Sequence, residues 1–281
     1  MKIDGRKIAN KILRGLKIRT DKLIKKGISP CLSIILIGSD KSSQVYVREK
    51  FKAGQKLGIT IKLHHLPVNI TLNKLQLLVD SININDSVNG IIIQRPVPIN
   101  VSSDFLNSIV LPAKDVDGFH PKSSFDPPVA LSVMEVLRYI FEQSKDDRNF
   151  DLWLKNKRIL VVGRGETAGK PIANYLQRLN FKIYIAHSQT TDLKQLSLAT
   201  DIIIPCVGRP NIVRHDMISP GAILIGVGLH PEADRKLSAD YDQSEIAAKA
   251  GFYTPVPGGV GPVNVAMLFK NVIKAAQMQS I

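Results

Sequence analysis

Cysteine is almost missing from this chain of 281 residues: Cys31 and Cys206 are the only two. Each sits in an apolar, strand-like run, and they form neither a CxxC pair nor a metal-ligand spacing. A disulfide framework is thereby disfavoured, a reducing cytoplasm fits, and no metal is expected. Long apolar runs are lacking too: the longest is about six residues, against roughly 20 for a membrane span. No apolar stretch follows the charges of Met1–Arg6, so no secretory signal is expected. Acidic residues are in deficit, 24 against 38 Lys and Arg, which leaves a net charge of +14. Such an excess can draw nucleic acid, a membrane surface or anionic small molecules. A nucleic-acid binder would also show a recognised motif or interleaved aromatics, and neither is seen. The densest basic stretch, Lys11–Lys26, alternates with Ile12, Leu13, Leu16, Ile18 and Leu23 and reads as an amphipathic helix with a solvated charged face.

What is present is ordinary globular composition, 44% hydrophobic and 22% charged, long enough for one large or two ordinary domains. Helical patterns at 6–26, 43–57, 72–83 and 128–142 alternate with strand-like runs at 31–38, 59–68 and 90–93. A second alternating set places strands at 158–163, 182–186, 202–207 and 223–228 and helices at 169–180 and 192–199. This alternation implies parallel sheets joined by right-handed crossovers, an α/β fold. The polar stretch Ser144–Asn149 is the candidate hinge. The expected domains are therefore 1–143, completed by a helix at 262–281, and 144–261.

The run Ile159–Val162 leads straight into Gly163-Arg164-Gly165-Glu166-Thr167-Ala168-Gly169, a G-x-G-x-x-x-G spacing one residue longer than the usual dinucleotide fingerprint. Glycines there permit a tight turn and close backbone approach to a pyrophosphate at the next helix N-terminus. A second strand follows and ends in Ala186-His187-Ser188-Gln189 with no acid. An NAD site usually carries an acid there to accept from the ribose 2′-OH. Its absence, with Arg164 in the turn to meet a 2′-phosphate, favours NADP.

Tyr46 and Lys50 are four residues apart in a helical pattern and share a face. Gln94 closes a strand, and Lys114-Asp115-Val116-Asp117-Gly118 is a turn with two carboxylates. In open α/β sheets ligands sit at the carboxyl ends of strands, where a lysine that loses its charge serves as an acid–base group. Taken singly, these are an ordinary surface lysine and an ordinary turn.

Together they resemble a known family, the bifunctional methylenetetrahydrofolate dehydrogenase/methenyltetrahydrofolate cyclohydrolases. The resemblance runs through Ile37–Lys50, Gly90–Pro98, Pro112–Phe119, the cofactor turn Gly163–Pro171, His187-Ser188 and the signature Tyr253–Pro262. It implies a folate-binding catalytic domain, a Rossmann-type NADP domain and a C-terminal helix that packs back on the first. It implies oxidation of 5,10-methylene-tetrahydrofolate with NADP and hydrolysis of the methenyl product to 10-formyl-tetrahydrofolate, by a cytoplasmic homodimer in one-carbon metabolism and purine biosynthesis. Lys50 would be the acid–base group, Gln94 would tune its charge, and Tyr46 would orient the folate ring system. Asp117 would accept from the pterin, and Pro257, Gly258 and Gly259 would close over the substrate. Gly163, Arg164, Gly165, Gly169, His187 and Ser188 would hold the cofactor.

Several positions depart from the family pattern. Pro128-Val129-Ala130-Leu131-Ser132-Val133 stands where a Pro-Cys-Thr-Pro-x-Gly segment is usual. Gly165 replaces a serine, Arg95 an apolar residue, Gly226 an aspartate and Asn264 a threonine. Most lie on the cofactor side. A cyclohydrolase with weak or no dehydrogenase activity, or a non-catalytic folate- or nucleotide-binding protein, therefore stay open as alternatives.

Overall fold

The computed structural model describes residues 1–231 and 237–280. Its contacts divide the chain into two compact units. One holds Asn10–Pro128 and the stretch from Val265 onward; the other holds Met1–Ala9 and Val129–Asn264. In chain order the elements begin α1 (Gly5–Ile24), β1 (Cys31–Ile37), α2 (Lys41–Leu57), β2 (Thr60–Leu66), α3 (Leu72–Asn83), β3 (Gly90–Ile93) and α4 (Ser103–Ser108). They continue α5 (Pro128–Ser144), α6 (Phe150–Lys155), β4 (Ile159–Val162), α7 (Gly169–Arg178), β5 (Ile183–Ala186), α8 (Leu193–Leu198) and β6 (Ile202–Pro205). The last are β7 (Ile223–Leu224), β8 (Leu229–Pro231), β9 (Leu237–Ala239), α9 (Gln243–Ala247), β10 (Phe252–Tyr253) and α10 (Val260–Met278).

The unit that starts at Asn10 is built on a parallel sheet of order β2-β1-β3. Central β1 is buried along its whole length, which is why it reads as an apolar run broken only by Ser33 rather than an alternation. Helix α2 starts where the Asp40 carboxylate accepts from Ser43 N–H at 2.7 Å, and stops at Gly58, whose φ of 75° suits glycine. From α10, Leu268, Phe269 and Val272 enter the same core as Leu32, Ile34, Leu36 and Val47. The C-terminal helix thus packs on this unit, as expected; Ile281, the end of the expected span, lies outside the described residues.

The other unit has a five-stranded parallel sheet of order β10-β7-β6-β4-β5, plus the antiparallel pair β8–β9. Chain order reverses between β4 and β6, the doubly wound arrangement of a Rossmann-type domain. The first residues join this sheet: Ile3 N–H donates to the Tyr253 carbonyl at 2.8 Å, and Tyr253 N–H to that of Met1 at 3.1 Å. Helices α5 and α6 meet through Phe141, Phe150 and Trp153, with ring centroids 5.6 to 6.0 Å apart. That aromatic contact sets α5 with this unit, so Ser144–Asn149 connects two helices of one body.

The strand expected at 223–228 pairs only over Ile223–Leu224. Beyond it, single bonds from Ile225 N–H to Ile203 O and from Val227 N–H to Pro205 O continue the direction. The short pieces α4, α6, β8, β9, α9 and β10 are additions that periodicity did not reveal.

Candidate active site

Helix α2 turns Tyr46 and Lys50 to one face, and Gln94 directly follows β3, its N–H still donating to Ile35 O on β1 at 2.9 Å. Lys50 is buried, 8% exposed, and its Nζ donates to Gln94 Oε1 at 2.8 Å. Gln94 is oriented in turn, its Nε2 donating to Arg95 O at 2.8 Å. Burial pulls the Lys50 pKa below its ordinary value, and the negative charge of Asp117 only partly offsets this. Tyr46 is half-buried, and burial raises its phenol pKa. The structure thus brings Lys50 onto Gln94, with Asp117 near enough for its charge to act on the amine.

The Lys114–Gly118 turn divides its labour. Lys114 Nζ donates to Asn85 O at 2.7 Å, past the end of α3, so this lysine is a brace. Asp115 is buried, and one of its oxygens accepts from His120 N–H at 2.7 Å, folding the segment that follows. Asp117 is half-buried, and no hydrogen bond holds its carboxylate among the described residues. It remains free to accept from a ligand. Burial raises its pKa, while Lys50 and Arg95 pull the other way. The turn is fixed from α10, where the buried Asn271 donates from Nδ2 to Val116 O and Asp126 O, both at 2.9 Å. Nothing in the sequence singled out Asn271, because a lone Asn in an apolar helix carries no motif.

In the other unit, Gly163 leaves β4 with φ 106°, its N–H donating to Ala186 O at 2.8 Å. A Cβ on Gly169 would fall 2.1 Å from Gly163 O, so only glycine lets α7 start this close to the strand end. Helix α7 has no side-chain cap; Lys170 N–H donates to Gly165 O at 3.0 Å and Pro171 has no N–H, so the Gly169 N–H is the first-turn donor turned to an anion. Arg164, Gly165 and Ser188 are exposed. His187 heads a tight turn, its N–H donating to Thr190 Oγ1 at 2.9 Å, and residues 187–191 after the strand include no carboxylate. The pyrophosphate and ribose of a dinucleotide fit this donor set. Pro257, Gly258 and Gly259 follow β10 in the same unit, packed against the chain start: Gly5 N–H donates to Gly258 O at 2.9 Å.

The departures from the family pattern have local explanations. Gly165 has nothing within 4 Å of an added Cβ, so the missing serine is a lost donor and not a changed backbone. At Gly226 a Cβ would lie 2.8 Å from the Tyr241 hydroxyl, which donates to Thr254 O at 2.6 Å. Tyr241 fills space that a side chain at 226 would need. Arg95 Nη2 donates to Asn107 Oδ1 at 2.7 Å, and its guanidinium lies 5.5 Å from the Phe119 ring centre. Pro128–Val133 forms the first turns of α5, with Val133 fully buried. Nothing in the structure explains Asn264.

Two family models match the chain: the catalytic domain of tetrahydrofolate dehydrogenase/cyclohydrolase over residues 3–117, and the NAD(P)-binding domain of the same family over 144–280. The bifunctional protein FolD of Nautilia profundicola is 39% identical over 284 residues, 98% of this chain and 96% of that one. That of Campylobacter concisus is 37% identical over 284 residues, 98% and 97% respectively. Among solved structures, the Campylobacter jejuni bifunctional enzyme FolD superposes with a TM-score of 0.91 at 35% identity, covering 99% of both chains. The Trypanosoma brucei enzyme, solved with NADP cofactor and an inhibitor, gives 0.90 at 33% identity over 100% of this chain and 98% of that one. With both domain models matched in order and relatives aligned nearly end to end, the chain belongs to the tetrahydrofolate dehydrogenase/cyclohydrolase family.

Proposed function

We propose that this protein oxidises 5,10-methylene-tetrahydrofolate with NADP and hydrolyses 5,10-methenyl-tetrahydrofolate to 10-formyl-tetrahydrofolate. The observation that carries the reading is the buried Lys50 amine held on Gln94 Oε1 at 2.8 Å with its pKa depressed. A buried lysine with a lowered pKa gives up its proton more readily than a free one, and hydrolysis of the methenyl bridge requires a group that exchanges a proton. Gln94 orients the amine. Asp117 accepts from the amino and ring N–H groups of the pterin, and Tyr46 orients the ring system. Pro257, Gly258 and Gly259 contact the substrate through backbone, where glycine permits close approach.

NADP, when bound, supplies the hydride acceptor. Gly163, Gly165 and Gly169 receive its pyrophosphate at the start of α7, and Arg164, His187 and Ser188 take the 2′-phosphorylated ribose. The Gly163–Gly169 turn, where a Cβ on Gly169 would fall 2.1 Å from Gly163 O, supports an intact cofactor unit, and hence the bifunctional reading over a cyclohydrolase alone. The folate-binding residues Tyr46, Lys50, Gln94 and Asp117 belong to the unit of residues 10–128 that the C-terminal helix completes, and the cofactor turn to the unit of residues 129–264. The enzyme works as a cytoplasmic homodimer that supplies one-carbon units for purine synthesis. Light scattering on purified protein checks the dimer.

The test of function is absorbance change on mixing pure protein with methylene-tetrahydrofolate and NADP or NAD, and separately with methenyl-tetrahydrofolate. Both reactions are expected, the first faster with NADP. Hydrolysis without reduction of either nucleotide would leave a cyclohydrolase only.

A further inference from the structure

At the carboxyl end of β6 the chain turns through Cys206, Val207, Gly208 and Arg209. This turn lies against the glycine turn: a Cβ on Gly163 would meet Cys206 O at 3.1 Å and Val207 Cγ2 at 3.3 Å. Strands β4 and β6 flank the point where chain order reverses, and open parallel sheets bind ligands outside their carboxyl ends at that point. The 206–209 turn is therefore one wall of the crevice whose other wall is Gly163–Gly169.

Asp240, just past β9, holds that wall. It is fully buried, and its carboxylate accepts from Val207 N–H at 2.7 Å and Arg209 N–H at 2.9 Å, with Gly208 N–H also directed at it. Three successive N–H groups around one anion form a backbone nest. The neighbouring glycines are matched to it. Gly208 has φ 73°, and a Cβ on Gly228 would fall 2.1 Å from Asp240 Oδ2. A carboxylate this buried needs those donors, and the donors need it.

We infer that Asp240 is a positioning residue for the dinucleotide: it touches no ligand, and fixes the Val207–Arg209 backbone at the distance from the glycine turn that the cofactor needs. This rests on the reading of the surrounding unit as an NADP site. Asp240→Asn keeps the shape but turns an NH2 group toward backbone donors, so the nest opens.

The experiment compares unmodified protein and Asp240→Asn in two assays, NADP-dependent oxidation and cofactor-free hydrolysis of methenyl-tetrahydrofolate. The KM for NADP should rise about tenfold or more, the scale of a lost charge-assisted contact. The KM for the folate and the hydrolysis rate should stay within about twofold, since neither depends on the cofactor wall. Gly228→Ala, whose Cβ would fall 2.1 Å from Asp240 Oδ2 and 2.6 Å from Gly208 N, forces the carboxylate and the nest apart without removing either, and should reproduce the defect if Asp240→Asn is insoluble. An unchanged NADP KM in a folded variant overturns the proposal, as does a parallel fall in hydrolysis, which would make Asp240 a general structural residue. Failure of the unmodified protein to use NADP would instead overturn the cofactor reading itself.

Discussion

The Lys50 amine donates to Gln94 Oε1 across 2.8 Å, from the middle of α2 to the end of β3. An amide oxygen solvates an ammonium group without supplying a countercharge. Burial is thus left to lower the lysine pKa, with Asp117 the opposing charge. Lys50→Met, which keeps the stem and removes the amine, should cut methenyl-tetrahydrofolate hydrolysis by at least ~10²-fold. Folate binding should largely persist. Gln94→Glu places a carboxylate against the amine and raises its pKa, so the rising limb of the pH–rate profile should move to higher pH. A profile that stays in place would remove Gln94 from control of Lys50.

Asp117 is the turn carboxylate with no hydrogen bond of its own among the described residues, so its loss should be felt in binding. Asp117→Asn leaves one substrate donor poorly paired and should weaken folate binding by about 1–3 kcal/mol. Arg95 pulls the Asp117 pKa down against burial. Arg95→Leu should therefore let Asp117 take up a proton at higher pH, and the acid-side loss of folate affinity should begin earlier. Titrating folate binding against pH in both variants checks this. Tight binding by Asp117→Asn would mean the pterin lies elsewhere.

Much of this site was legible in the sequence, and the reason is local. Tyr46 and Lys50 share a helix face by their spacing, Gln94 ends an apolar strand run, and the glycine turn lies between a strand and a helix. What stayed hidden depends on distant parts of the chain. Asn271 reaches the Val116 carbonyl across 155 positions, and Asp240 reaches Val207 across 33. Neither position carries a motif of its own. The affiliation of α5 escaped for the same reason: a polar stretch looks like a hinge, whereas the packing of Phe141 on Phe150 and Trp153 decides where the helix belongs.

Asp115 should make folding stability fall with rising pH. Burial first of all, and Asp117 beside it, push its pKa from 3.8 to about 6. The folded protein then holds a proton between about pH 4 and 6 that the unfolded chain has released. Stability from this group is fully present below about pH 4 and declines through about pH 6, by up to about 3 kcal/mol. Asn at this position keeps an acceptor for His120 N–H and cannot ionise. Urea unfolding from pH 4 to 7 should show a flatter pH dependence for Asp115→Asn than for the parent; equal slopes would show that Asp115 ionises freely.

Gly226 and Tyr241 should behave as a coupled pair. A Cβ at 226 would sit 2.8 Å from the Tyr241 hydroxyl in a buried site, and that hydroxyl is engaged with Thr254 O. Gly226→Asp, the residue usual in the family, should alone destabilise by about 1–3 kcal/mol through overpacking and an ill-paired charge. Adding Tyr241→Val empties the space and should recover much of that loss. A double-mutant cycle in thermal unfolding should show coupling of roughly 1 kcal/mol or more. Strictly additive effects would mean that the tyrosine does not occupy the missing side chain's place.

The cofactor prediction turns on Arg164 and Gly165, neighbours in the exposed part of the glycine turn. A charged contact from Arg164 to a 2′-phosphate contributes roughly 1.5–3 kcal/mol, whereas a missing serine hydroxyl costs about 0.5–1.5 kcal/mol. The charged contact should win, leaving NADP preferred but held less tightly than with a serine in place. Arg164→Ala should therefore weaken NADP binding about tenfold or more and leave NAD nearly unchanged, because NAD has no 2′-phosphate to lose. Gly165→Ser tests the other half. With nothing within 4 Å of an added Cβ, the backbone has room for the side chain, and its hydroxyl should tighten NADP about three- to tenfold. Calorimetric titration of each variant with both nucleotides separates the two effects. Equal losses for NADP and NAD in Arg164→Ala would show that the arginine serves the turn and not the phosphate. A Gly165→Ser variant with no gain would place the 2′-phosphate out of reach of position 165.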